Sequence, residues 1–150
     1  MDILSIFGIR GRPKEVHHLN DAIRKVGIQP SLVADSVKIS VIKLLREAEG
    51  GNFTDIVTSC EKAAPMVVYC MLGRDDYEEI NNGEAADEIE KRLSLAINSG
   101  DSLDAQLIML TLFANIAHPA VIEKFDLNNI NIRASNNNIF NKMLENLKNF

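Results

Sequence analysis

The chain has 150 residues and a mass of 16.7 kDa, one domain's worth, enough to bury roughly two-thirds of its unfolded surface without disulfide or metal staples. At 46% hydrophobic and 25% charged residues it is too apolar for a wholly disordered chain, and no run approaches the about 18 apolar residues of a membrane-spanning helix. A formal charge of −5 makes the chain as a whole a poor electrostatic match for nucleic acid or anionic lipid.

The chain opens on Ile3, Leu4, Ile6, Phe7 and Ile9, followed by Arg10, Arg12 and Lys14. Asp2 stands where a secretory signal carries its basic end, and no small-residue cleavage site follows. Together with two cysteines outside any Cys-x-x-Cys spacing, Cys60 and Cys70, this predicts a cytoplasmic protein with reduced, buried thiols. Residues 1–12 form a candidate docking arm, with Ile3, Ile6, Phe7, Arg10 and Arg12 as its contact residues. Its apolar patch and three cations suffice only for weak contact with an anionic membrane surface.

A first helix is expected from Pro13, a residue preorganised for a helix's first position. Val16, Leu19, Ile23 and Val26 recur on one face, and Gly27 supplies the stop. A second helix follows Pro30 and runs to about Glu49, with Val37, Val41, Leu44, Leu45 and Ala48 inward and Lys38, Lys43, Arg46 and Glu47 wet. Gly50-Gly51 ends it. Thr54 is the expected cap of a third helix, with Asp55 in its first turn. Pro65 either kinks that helix or opens a new one that ends at Gly73; Met66 to Leu72 are apolar on all sides and belong inside.

A short helical turn is expected near Asp75–Ile80, then a break at Asn81-Asn82-Gly83. A helix from Glu84 to Asn98 points Ala85, Ile89, Leu93 and Ile97 inward. Asp101 or Ser102 caps the next, whose apolar residues from Leu103 to Ala117 cover most of its circumference, the mark of a central element. His118-Pro119 ends it, and Ala120–Phe125 makes one more turn. Residues 128–149 hold nine of the fifteen asparagines, and a last helix over Asn138–Leu147 is expected within an Asn-rich segment, 126–150. The reading is a single all-α domain over 1–150, a compact bundle of about six helices, with a short helical-repeat array as the alternative.

Charge is unevenly spread. Residues 50–90 set Lys62 and Arg74 against ten acids, a balance of −8. Asp75, Asp76, Glu78 and Glu79 are the docking candidates in this segment, and a basic protein partner is what they would attract. The acids are not a calcium loop, because aligning Gly83 to that loop's glycine places Ile80 at a ligand position. His17 and His18 point about 100° apart on a helix, and no second His–acid pair accompanies His17 and Asp21, so no metal is expected.

Thr111, Asn115 and His118 lie at i, i+4 and i+7 of the expected central helix. They are the candidate ligand or acid–base residues; the alternative is that the stripe is the helix's solvent-facing edge. Arg10-Gly11-Arg12-Pro13-Lys14 resembles the core of an AT-hook, which implies minor-groove DNA binding. The match spans five residues in one copy, and the acidic remainder disfavours a nucleic-acid partner. No phosphate-binding glycine loop or nucleophile elbow is present, and no cofactor is expected. The sequence therefore points to a non-enzymatic interaction protein (an adaptor, an immunity-type inhibitor or a small chaperone) that holds a protein partner through the acidic segment or the apolar amino-terminal end. Its alternatives are a ligand-binding or enzymatic bundle and a DNA- or membrane-associated factor.

Overall fold

The computed structural model describes residues 14–99 and 102–129. Helix α1 (Glu15–Val26) buries Val16, Leu19, Ala22, Ile23 and Val26, the face expected from their spacing. It ends at Gly27, whose N–H bonds back to the carbonyls of Ile23 and Arg24 and whose φ of 115° turns the following chain out of the helix. The chain makes a 3-10 turn, Pro30–Leu32, before α2 (Asp35–Ala48). That helix closes through Gly50 and Gly51, both at positive φ, with Gly51 N–H bonded back to Arg46 O at 2.9 Å.

Two details of α2 depart from expectation. Lys38, assigned to the wet side, is only 4% exposed. The helix packs on α1, on α3 (Ile56–Leu72) and on α6 (Leu103–Phe113), so its buried arc is wider than one stripe. Ala48, assigned inward, is exposed, because the last turn runs past the core.

In α3, Asp55 rather than Thr54 is the cap. Its carboxylate accepts from the Thr58 N–H at 3.1 Å and the Thr58 hydroxyl at 2.6 Å. Pro65 sits inside α3, and one helix continues through it; the cost is the helical partner of the Glu61 carbonyl. Every side chain from Met66 to Cys70 is buried, as the unbroken apolar run predicts. Helix α3 packs against α1, α2, α6, α4 (Arg74–Ile80) and α5 (Gly83–Ser99). The centre of the bundle is therefore α3, not the Leu103–Ala117 segment.

The α4 and α5 helices are joined at Asn81-Asn82, where the Asn82 side chain accepts from the Ala85 N–H at 2.7 Å. Inward on α5 are Ala86, Ile89, Leu93 and Ala96, one residue off the expected Ala85 and Ile97. Ser102 caps α6 through Ala105 N–H. That helix stops at Phe113, four residues before the expected end. Asn115 adopts φ 61°, its N–H bonds to Leu112 O, and Ile116 N–H bonds to Thr111 O. This is a left-handed helix terminus with asparagine where glycine is usual. Helix α7 (Pro119–Lys124) and a 3-10 turn, Leu127–Asn129, complete the described chain.

The described residues form an all-α bundle of seven α-helices and contain no strand. The pairings α1 with α3, α2 with α6 and α3 with α6 join helices that are not neighbours in the chain. That distinguishes a compact bundle from a repeat array, in which each unit touches only the next. The expected helix over Asn138–Leu147 and the arm over 1–12 lie outside the described residues.

Candidate functional site

Glu90 is the organising residue of the acidic segment. It lies on α5 beside the buried Ile89, and its side chain is only 15% exposed. One carboxylate oxygen accepts from Arg74 Nη1 at 2.6 Å; the other accepts from the Tyr69 hydroxyl and from Lys124 Nζ at 2.6 Å. These donors come from α3, α4 and α7, so one carboxylate ties four helices. Burial works to raise its pKa, but the bonds from Lys124, Tyr69 and Arg74 outweigh it and hold the carboxyl below its ordinary value. Burial first, and the Glu90 bond second, push the Tyr69 phenol upward. The Tyr69 ring meets Tyr77 and Phe125 edge-on at 5.5 and 6.4 Å, and Lys124 lies over Phe125.

Arg74 opens α4 and spreads across three carboxylates: Glu78 at 3.2 Å, Asp87 at 2.8 Å and Glu90. Of the expected docking residues, Glu78 is thus partly committed to Arg74. Asp75, Asp76 and Glu79 are exposed, as are Glu84 and Glu88 on α5, and none of these five makes an ion pair with a described residue. On α5, Glu84, Asp87, Glu88 and Lys91 recur at one face. The outcome is an acidic corner on a scaffold whose inner charges are paired.

Thr111, Asn115 and His118 do not form a stripe, because α6 ends between the first and the second. Thr111 is fully buried and its hydroxyl donates to Ile108 O at 2.7 Å, so it is not a solvent edge. Asn115 forms the helix terminus. His118 is not at the carboxyl end of a helix but is the amino-terminal cap of α7. Its N–H donates to Cys70 O at 2.7 Å, and its Nδ1 accepts from Ala120 N–H at 3.0 Å. Its ring lies against Gly73, where φ is 82° and an added Cβ would stand 3.3 Å from the ring. A cleft of about 240 Å³ opens there, lined by Gly73, Arg74, Asp75, Asp76 and His118 among others.

Both cysteines are free, with no exposed surface. Burial pushes the Cys60 and Cys70 thiols up to about 12, so neither is a thiolate near neutral pH. Among the described residues no group of three or more His, Cys, Asp or Glu is arranged to hold a metal, and no helix is long and apolar enough to cross a membrane. Ile3, Ile6, Phe7, Arg10 and Arg12 lie outside the described residues.

Sequence reasoning missed the Glu90 hub, although two signals were present. A carboxylate next to Ile89 sits at the margin of the expected inward stripe, and a tyrosine inside an apolar run needs a partner for its hydroxyl. It also missed the Arg92–Asp104 pair, bonded twice at 3.1 and 2.7 Å, which joins α5 to α6.

In comparisons with known proteins, no family model, no curated protein and no solved structure matches this chain at a significant level.

Proposed function

We propose that the protein acts by binding a protein partner on the acidic corner of α4 and the first half of α5, and that the partner presents a basic helix or loop. The observation that carries this reading is the set Asp75, Asp76, Glu79, Glu84 and Glu88: exposed, close in the chain, and without a counter-ion among the described residues. Carboxylates left unpaired on a rigid frame favour encounter with a positive surface and reject a negative one. Arg74 and Lys124 spend their charge on Glu90 and its neighbours, so they fix the corner's shape more than they neutralise its outer face. The buried thiols and the bonded Tyr69 favour binding over nucleophilic chemistry.

The test is capture from native lysate after nuclease treatment, with the wild type and an Asp75→Lys/Asp76→Lys/Glu79→Lys variant. A stoichiometric protein held by the first and lost from the second is the expected result. Equal retention by both would overturn the assignment of this surface.

A further inference from the structure

A groove of about 500 Å³ opens where the chain leaves α6 at Asn115 and enters α7. It shares no lining residue with the acidic corner. Met109 and Leu127 lie deepest, 8% and 0% exposed. Leu112, Ala117 and Ile122 are half-buried beside them, and Phe113 is exposed. Among the described residues only Asn115 and Asn128 interrupt this apolar lining. The described chain also ends at the groove. Leu127 and Asn128 line it, and Asn129 is held by its N–H to Asp126 O at 3.1 Å and by its side-chain amide to the Asp126 carboxylate at 2.7 Å.

Beyond that exit, Ile139, Phe140, Met143, Leu144 and Leu147 recur at helical spacing, with Asn141, Lys142, Glu145, Asn146 and Lys148 between them. A helix patterned this way needs an apolar surface for one face. Residues 130–138 span at most about 30 Å when extended, against roughly 16 Å for the length of α6, so the segment reaches any part of the groove. The other apolar segment, Ile3 to Ile9, enters the bundle elsewhere. Glu15 bonds to Arg46 at 2.8 Å in the last turn of α2, and that end of α2 meets the first turns of α6 rather than its last.

We infer that the groove seats this chain's own segment 139–147, laid as an amphipathic helix across the end of α6 and the start of α7. The short tether holds the segment at an effective concentration of about a millimolar, so it outcompetes the same segment of a second copy at micromolar protein.

Hydrogen exchange of the full chain, read by mass spectrometry, tests this. Amides of 139–147 should exchange at least about tenfold more slowly than in the same peptide made alone, and equally slowly after tenfold dilution of the protein. Phe113→Glu, a charge at an exposed lining position, should abolish that protection. Phe140→Glu/Leu144→Glu, placed outside the described bundle, should abolish it too and should speed exchange over 119–127 while leaving α1 to α3 unchanged. Circular dichroism checks the fold of Phe113→Glu, and the double variant decides if that change unfolds the bundle. The inference is overturned if 139–147 exchange at the peptide's rate or lose protection on dilution, the mark of a second copy in the groove. It is equally overturned if folded Phe113→Glu keeps the protection, or if the double variant leaves 119–127 unchanged.

Discussion

At the scale of single residues, Glu90 carries the most. Its folded pKa is lowered from the ordinary value of 4.5, so its contribution to stability is complete above that value and is lost as pH falls through the lower folded one. Replacing Glu90 by Gln keeps the shape but leaves Arg74 and Lys124 without their shared anion. Urea unfolding should show a loss of about 1–3 kcal/mol at neutral pH, the scale for a broken, partly buried charged bond. The difference from wild type should shrink as pH is lowered below 4.5. A variant as stable as wild type at neutral pH would show that the network contributes nothing to stability. The thiols give a second check. With no exposed surface and pKa values near 12, Cys60 and Cys70 should resist a thiol-reactive dye in the native protein and react promptly in denaturant. Prompt labelling without denaturant would contradict the described burial.

At the scale of elements, the sequence was most legible where one local signal decides. The α1 stripe and its Gly27 stop, the Gly50-Gly51 terminus and the Ser102 cap all follow from adjacent residues. The end of α6 differs from the expectation because Pro119 is not the first breaker: Asn115 tolerates left-handed angles and stops the helix earlier. That single misplacement created the apparent Thr111/Asn115/His118 stripe. Burial of Lys38 and the central position of α3 were not legible, because both depend on which helices come to cover a face. Asn115 offers a direct test of this account. Asn115→Gly should be nearly neutral, while Asn115→Val should cost about 1–2 kcal/mol, the penalty of a side chain forced left-handed. Equal thermal midpoints for the two variants would mean that the terminus imposes no such strain.

At the scale of the whole molecule, the bundle separates its charges by role. Inside the corner, Arg74 and Lys124 hold Glu90, Asp87 and Glu78 and fasten α4 and α7 to the core. Outside it, Asp75, Asp76, Glu79, Glu84 and Glu88 have no counter-ion among the described residues. The Asn81 side chain donates to the Val26 carbonyl at 3.1 Å, and Ile80 packs over Gly27, so the far end of α4 is pinned to α1. The acidic face is therefore carried by a framework fastened at both ends. This suits a docking surface, since little ordering is left to be lost on binding. It also sets the electrostatic expectation: exposed, unpaired charges should govern association rate and salt response more than final affinity.

The most direct test is the salt dependence of association between the purified protein and the partner it retains, followed by stopped flow for the wild type and for Asp75→Asn/Asp76→Asn/Glu79→Gln. The wild-type association rate should fall steeply from low to moderate salt, and the neutralised variant should start slower and barely respond. Parallel salt profiles for the two proteins would contradict it, and would move the binding surface away from α4.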